Sequence, residues 1–353
     1  MSMAAPAGPR RVAAATLEAY ARDLLAAGGF APDHAEATAR MLVWANLRGV
    51  ESHGILRIPR YVEMVEQGLI NPAAAIRQVA GKGAVAVLDG DKAPGAVAMN
   101  AATTRAIADA RVHGVGWCVV RRITHAGAVG IYAEAIATAG LVGLVMTASK
   151  PLMIYHGARA EGVSTNPIAI AAPSSDPARP LLFDMSTASV AAGKITAAKD
   201  AGRAIPLGWA VDAEGRETTD PAAVKAVLPM AGPKGTGLSL MIEVLASVLV
   251  GNPLLTVALR DGSEPGGNGI AVALDPQAFG AEPGFTAGVS DLAAVIKALP
   301  VAAGAEAVLL PGERGAAERA RRLAQGIPVA AGTLSRLAAL AAKHGVPIPP
   351  DLA

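Results

Sequence analysis

Apolar positions recur at helical spacing through the first third of the chain. "TLEAYARDLLAAGG" (16–29) places them every three to four residues and stops at Gly28 and Gly29, which predicts an opening helix. "DHAEATARMLVWANLRG" (33–49) predicts a second, with Asp33 and Glu36 spaced as a capping box. In "ESHGILRIPRY" (51–61), Ser52 stands where it can cap a third helix, with His53 in its first turn. That helix is expected to end near Gly68 and to kink or break at Pro59.

The period then changes. "AVAVLDG" (84–90), "GWCVVRR" (116–122), "LVGLVMTAS" (141–149), "PIAIAAP" (167–173) and "LLFDM" (181–185) are short apolar runs bounded by Gly, Pro or Ser, the pattern of buried strands. "GIAVALD" (269–275) and "AVLLPG" (307–312) read the same way. Helices are expected around 95–112, 128–139, 188–201 and 235–250, and a short hairpin in "GWAVDAEGRETT" (208–219). "DGSEPGGNG" (261–269) is a loop, and "ERGAAERARRLAQG" and "TLSRLAALAAKHG" close the chain as helices. The fold class is mixed α/β, with helices flanking a strand-rich middle. We divide it into an N-terminal helical segment (1–75), a central α/β domain (76–290) and a C-terminal helical segment (291–353) that packs with the first.

Composition narrows the partners. The net charge of +2 comes from 31 basic and 29 acidic residues, which gives no basic stripe for nucleic acid or an anionic membrane. The apolar run at 238–250 contains Glu243 and is too short to span a bilayer. The N-terminus lacks the apolar core of a signal peptide, which points to the cytoplasm. The single cysteine, Cys118, excludes an internal disulfide and a cysteine metal site, and "GWCVV" places it in a buried strand. No metal site is expected.

Several common chemistries have no motif here. There is no G-x-G-x-x-G after a strand, no phosphate loop (Lys234 in "GPKGTGLS" precedes its second glycine), no H-E-x-x-H and no G-x-S-x-G. Of six histidines, His34, His113 and His344 sit at helix ends or beside glycine, where solvated or capping roles prevail. His53, His125 and His156 lie between apolar elements. His53 and Arg57 are four residues apart, on one face of a helix. A guanidinium clamps a carboxylate with two hydrogen bonds, and an imidazole beside it exchanges a proton with a neighbouring carbonyl. The competing reading is a solvated face with Arg57 paired to Glu51 or Glu63. His125 stands at a strand-to-helix turn, either an anion-facing strand end or a turn histidine satisfied by backbone. Asp184 with Ser186 and Thr187 reads as ribose and phosphate contacts or as an N-cap cluster. Lys234 is a glycine-lined cation at a helix start.

Five ordered segments carry a resemblance: "ANLRGVESHGILRIPRYVEMVEQGLINP", "ITHAGAVGIYAEAIATAGLVGLVMTAS", "YHGARAEGVSTNPIAIAAP", "LLFDMSTASVAAGKI" and "VLPMAGPKGTGLSLMIEVLASVLVG". In this order they resemble the malate/L-lactate dehydrogenase family that lacks the Rossmann fold. That family includes ureidoglycolate, sulfolactate and diketogulonate oxidoreductases and reductases of piperideine- and pyrroline-2-carboxylate. The resemblance implies a non-Rossmann NAD(P)-binding mixed-sheet domain, a small carboxylate substrate, NAD or NADP as cofactor, and a homodimer.

By the same resemblance, His53, His125 and Ser52 are catalytic, and Arg57, Tyr61 and Lys150 face the substrate. Ser149, Asn166, Asp184, Met185, Ser186, Lys234, Gly235, Gly312 and Glu313 are implied to contact the cofactor. Arg121, Arg122 and Lys194 are candidates for an NADP 2′-phosphate. Many relatives read S-N-H-F-G where this chain has Thr124, His125, Ala126 and Gly127, so loss of the aromatic ring is expected to reshape the pocket. The activity implied is interconversion of a 2-oxo and a 2-hydroxy acid. Reduction of a cyclic imine carboxylate, or small-acid binding without catalysis, are the alternatives.

Overall fold

The computed structural model describes residues 10–200, 202–264, 266–281 and 284–352. The chain forms two compact units, Met1–Ala73 with Arg314–Ala353, and Ala74–Glu313.

The first unit is helical. Ala14–Ala27 and Pro32–Leu47 bury Leu17, Leu24, Leu25, Met41 and Leu42, each worth roughly 1.5–3 kcal/mol of transfer free energy. The second helix does not use the expected capping box. Pro32 presets the helical φ, so the helix starts one residue earlier, from Ala31, and no side chain caps it. Asp33 then lies within the first turn, and Glu36 pairs with Arg40 at 2.7 Å.

The next segment corrects a second expectation. Residues 51–57 form two short 3₁₀ turns, Glu51–His53 and Ile55–Arg57, and the α-helix runs only from Ile58 to Glu66. Ser52 therefore caps nothing. Pro59 sits in the first turn, where its missing N–H costs no hydrogen bond, and the expected break falls just before it, at the change from 3₁₀ turn to α-helix. Later in the chain, the helices Glu313–Gln325 and Ala331–His344 follow the sequence pattern, and strand Ile327–Val329 pairs antiparallel with Arg10–Val12.

The second unit is built on a seven-stranded sheet. Its order is Arg77–Lys82, Val85–Asp89, Val115–Ile123, Gly267–Leu274, Val142–Ser149, Ile168–Ala172, Leu181–Met185. The one parallel pair, Val85–Asp89 with Val115–Ile123, requires a crossover, which helix Gly95–His113 supplies. Cys118 lies on this sheet, fully buried, and burial pushes its thiol up to about 12. Helices Gly130–Thr138 and Ala192–Asp200 fall within the expected ranges, while Pro233–Glu243 starts two residues before the expected 235 and runs on into a π turn over Val244–Val248.

The expected hairpin narrows to one bridge, Val211 to Glu217. Strand Ala210–Val211 pairs instead with Ala226–Val227 in a four-stranded sheet completed by Met153–Ile154 and Glu161–Val163.

"AVLLPG" is not a strand. Its end meets the sheet edge, where Leu182 N donates to Pro311 O at 3.2 Å, and Pro311 has no N–H to continue a ladder. Pattern reading overlooked strand Arg77–Lys82, whose six residues are all exposed, and helices Leu254–Asp261 and Phe285–Lys297. Among the described residues no helix is long and apolar enough to cross a membrane.

Candidate active site

In the first unit, Ser52, His53, Arg57 and Tyr61 are held by the 3₁₀ turns and the start of the following helix. Arg57 Nε donates to the Ser52 carbonyl oxygen at 2.7 Å. Ser52 Oγ lies 2.9 Å from His53 Nδ1. Both carboxylates that could have neutralised Arg57 are engaged elsewhere. Glu51 pairs with Arg322 at 2.6 Å, and Glu63 pairs with Arg60 at 2.8 Å. No hydrogen bond to the Nη atoms of Arg57 is formed among the described residues.

The electrostatics follow from this placement. Burial, reinforced by the Arg57 cation, pulls His53 down to about 4, so its imidazole is neutral at neutral pH. Tyr61 is buried, and that burial raises its hydroxyl pKa although Arg57 acts in the opposite sense.

Three residues that pattern reading did not single out brace this turn. Asn46 Oδ1 accepts the Ile55 N–H at 2.8 Å, and a Cβ at Gly54 would fall inside the Asn46 amide. Only glycine allows that approach. Arg322 is buried and spends its guanidinium on Glu51, on Glu318, and on the Asn46 carbonyl at 2.6 Å. Its partners lie up to 276 positions away in sequence, so no local pattern marks it.

In the second unit the remaining candidates gather at strand ends and helix starts. His125 is exposed on the loop after Val115–Ile123. That loop is pinned by the Thr124 N–H and Oγ1, both donating to Ala93 O at 3.1 Å, and by Tyr132 OH donating to Ala126 O at 2.6 Å. Asp184 caps a helix, though not the one that follows it. Its Oδ2 accepts the Gly130 N–H at 3.0 Å, at the start of Gly130–Thr138. Ser186 Oγ accepts the Ala188 N–H at 2.9 Å and closes a turn. Met185, half-buried, ends the strand between them.

Ser149 and Asn166 are joined directly. Asn166 Oδ1 accepts the Ser149 N–H at 3.3 Å, its Nδ2 donates to Ser239 O at 3.0 Å, and Ser149 Oγ lies 2.7 Å from Ser164 Oγ. Asn166 is buried, so its amide orders the strand ends against helix Pro233–Glu243. At the start of that helix Lys234 is exposed, while Gly235 is buried with its Cβ position 2.6 Å from Thr187 O. His156 stands beside Gly232, the residue before the helix.

Gly312, at φ 89°, packs against Leu182, and Glu313 pairs with Lys297 at 2.6 Å while accepting the Leu310 N–H. Lys150 is paired with Glu264, and Arg121 and Arg122 are both paired with Asp89. Lys194 is exposed on helix Ala192–Asp200.

The other histidines sort differently from expectation in one case. His34 is buried rather than solvated, because the earlier helix start turns it inward. Among the described residues no group of three or more His, Cys, Asp or Glu is arranged to hold a metal ion.

The chain as a whole is similar to known proteins. The family model for malate/L-lactate dehydrogenase matches residues 12–338. Ureidoglycolate dehydrogenase (NAD(+)) of Escherichia coli O157:H7 is 34% identical over 323 residues, covering 90% of this chain and 92% of that protein. The structure of malate dehydrogenase from Pyrococcus horikoshii OT3 superposes with a TM-score of 0.87 at 30% identity, covering 98% of this chain and 99% of that one. The structure of delta1-piperideine-2-carboxylate reductase from Pseudomonas syringae pv. tomato gives a TM-score of 0.81 at 32% identity, covering 94% and 99%. A family model that covers most of the chain, and relatives above 30% identity along nearly its whole length, settle the family: the chain belongs to the malate/L-lactate dehydrogenase family.

Proposed function

We propose that this chain is an NAD(P)-dependent oxidoreductase that interconverts a small 2-oxo acid and the corresponding 2-hydroxy acid. The observation that carries the proposal is Arg57. Its Nε is fixed on Ser52 O, its Nη atoms have no hydrogen-bond partner among the described residues, and the two nearby carboxylates are taken by Arg322 and Arg60. A half-buried guanidinium in this state is suited to a bidentate carboxylate ligand.

A bound NAD(P) would supply the hydride for C2 of the oxo acid, or take it up from the hydroxy acid. In the oxidative direction His53, neutral at neutral pH, takes the proton from the 2-hydroxyl, and Ser52 at its Nδ1 sets the ring orientation. In the reductive direction His53 returns that proton to the alkoxide oxygen. A substrate carboxylate on Arg57 cancels part of the charge that depresses His53, so substrate binding raises the pKa of the acid the reduction needs. His125 is assigned to polarising the carbonyl, and the two histidines are interchangeable in these roles. Tyr61 supports the clamp from its buried position.

The second unit suits a pyrophosphate-bearing cofactor. Lys234 adds a cation to the positive end of an eleven-residue helix, whose first turn packs closely on the Met230 and Thr187 backbone because Gly235 carries no side chain. Ser149, Asn166, Asp184, Met185, Ser186, Gly312 and Glu313 are assigned to hold or frame it. NAD and NADP both remain within this reading. Arg121 and Arg122 are committed to Asp89, and Lys150 to Glu264, so a second anionic group has to compete for each of them. A cytoplasmic homodimer completes the proposal.

One observation favours a second substrate class. A histidine at about 4 carries almost no proton at neutral pH, whereas a protonated cyclic imine brings its own. Reduction of an imine carboxylate therefore needs the Arg57 clamp and the hydride without help from His53.

The test is oxidation of NADH and of NADPH with oxaloacetate, pyruvate, sulfopyruvate, diketogulonate and piperideine-2-carboxylate, and reduction of NAD with ureidoglycolate. Turnover of one of the oxo or hydroxy acids supports the proposal, and turnover of the imine alone supports the second substrate class. Cofactor binding without turnover of any carboxylate overturns it.

A further inference from the structure

His125 follows a strained corner, and the residues that impose the strain are buried and polar. Four described non-glycine residues have positive φ: Asp91 (52°), Lys92 (58°), Arg122 (57°) and Ala231 (47°). Three of them form one corner, where the parallel strands Val85–Asp89 and Val115–Ile123 end. Gly90 N donates to Arg121 O and Lys92 N donates to Arg122 O, each at 2.8 Å. Side chains rarely hold such a conformation unless their surroundings fix it.

The surroundings are on the neighbouring strand. The pairing of Gly267–Leu274 with Val115–Ile123 runs Gly267 to Ile123 and then Gly269 to Val120, so Arg121 and Arg122 together oppose the single residue Asn268. This is a β-bulge, a device that re-aims the chain beside it. Asn268 is fully buried, and every hydrogen-bonding position of its amide is used. Its Oδ1 accepts the Arg122 N–H at 3.0 Å and Asn252 Nδ2 at 2.8 Å. Its Nδ2 donates to Ser247 Oγ and to Asn252 O, both at 3.1 Å.

Behind it, Ser247 Oγ donates to Glu243 Oε2 at 2.9 Å. Glu243 Oε1 accepts the Leu254 and Leu255 N–H groups, each at 2.9 Å. Ser247 lies within the π turn. On the outer side, Asp89 Oδ1 takes the Arg122 side chain at 2.6 and 3.0 Å. Two residues beyond Arg122 the chain is pinned at Thr124 to Ala93 O, and Gly95 leaves no room for a Cβ against the His125 carbonyl.

We infer that Asn268 is a positioning residue: by holding Arg122 in its left-handed conformation it aims the Thr124–His125 segment. The catalytic consequence rests on the reading of His125 as a reaction residue. The conformational consequence does not.

The experiment separates the two. Asn268→Ala and the double variant Asn268→Ala/Arg122→Gly are compared with Arg122→Gly alone. Glycine adopts positive φ without the Asn268 restraint. The readouts are kcat and the imidazole NMR resonances of His125, assigned with His125→Asn. We expect Asn268→Ala to shift those resonances and to lower kcat by roughly 10²-fold, the cost of a small misplacement. We expect the double variant to restore the resonances and to recover at least about tenfold of the loss. If alanine does not yield folded protein, Asn268→Ser supports the same comparison. Unmoved resonances in the single variant, or resonances that Arg122→Gly fails to restore, overturn the inference. An undiminished kcat in His125→Asn overturns the catalytic role of His125, while the resonances still decide whether Asn268 positions it.

Discussion

Arg57 Nε donates to the carbonyl oxygen of Ser52 at 2.7 Å, which aligns the guanidinium and spends only one of its five N–H groups. The arginine is thereby fixed by backbone and not by a carboxylate, so its positive charge stays available. A lysine at this place has no second donor to replace the fork. We expect Arg57→Lys to raise the KM for the acid by about 10–100-fold, the worth of a charge-assisted bidentate pair. Steady-state kinetics with varied acid checks this, and unchanged KM contradicts it.

His53 is the second half of the arrangement. Its replacement by alanine removes the proton acceptor and is expected to lower hydroxy-acid turnover by about 10²–10⁴-fold. A cyclic imine substrate that arrives protonated needs no such group. The His53→Ala variant therefore distinguishes the two substrate classes: loss of turnover with an oxo or hydroxy acid, and near-normal reduction of an imine. Equal turnover of an oxo acid by variant and parent contradicts the assigned role.

The same histidine makes a stability signature. Its folded-state pKa of about 4 lies below the ordinary 6.5, with burial the main cause and Arg57 the second. Between these values the unfolded chain binds a proton that the folded chain does not. His53 therefore leaves stability intact above pH 6.5, erodes it as the pH falls from 6.5 to 4, and adds no further loss below that. Glu318, held at about 2 by Arg321 and Arg322 against the effect of burial, contributes loss only at lower pH, from 4.5 downward. We expect His53→Gln to flatten the fall in denaturation midpoint between pH 6.5 and 4. An identical pH dependence in parent and variant contradicts the burial of His53 as a neutral group.

The turn that carries Ser52 and His53 depends on Gly54. A Cβ there collides with the Asn46 amide, which must then move and release the Ile55 N–H. We expect Gly54→Ala to cost about 1–3 kcal/mol, the range for overpacking and for a buried donor left unpaired. Asn46→Ala in the same chain removes the collision, so the two changes cost less together than their sum. Denaturant titrations of the two single variants and the double variant measure the coupling, and simple additivity contradicts it.

Much of this was legible in the sequence, for reasons of range. Ser52, His53, Arg57 and Tyr61 lie within ten positions, so the cluster proposed as the clamp could be picked out locally, although spacing alone left a solvated helix face as the competing reading. The buried strands were visible because Val, Ile and Ala runs end at Gly, Pro or Ser. The helix expected from Ser52 to near Gly68 opens instead as two 3₁₀ turns, because Pro59 fits a first helical turn and so moves the helix start to Ile58. Strand Arg77–Lys82 was invisible because an exposed edge needs no apolar alternation. Arg322, Asn46 and Asn268 were invisible because each acts through partners distant in sequence, and the partners give them their meaning.

Arg322 shows the energetic weight of such a residue. It is buried, with two carboxylates and a carbonyl on its guanidinium. We expect Arg322→Met to destabilise the protein by about 1–3 kcal/mol, because the Asn46 carbonyl loses its buried donor while Glu51 and Glu318, both partly exposed, lose their cation. Thermal or denaturant unfolding checks this, and a loss below about 1 kcal/mol, the usual value of an exposed pair, contradicts it.

The most direct test of the central claim compares a 2-oxo acid with its amide, in the parent and in Arg57→Gln, by kcat/KM for oxidation of the reduced cofactor. If Arg57 holds the substrate carboxylate, the parent strongly prefers the acid and the variant loses most of that preference. A preference for the acid that survives intact in Arg57→Gln contradicts the account.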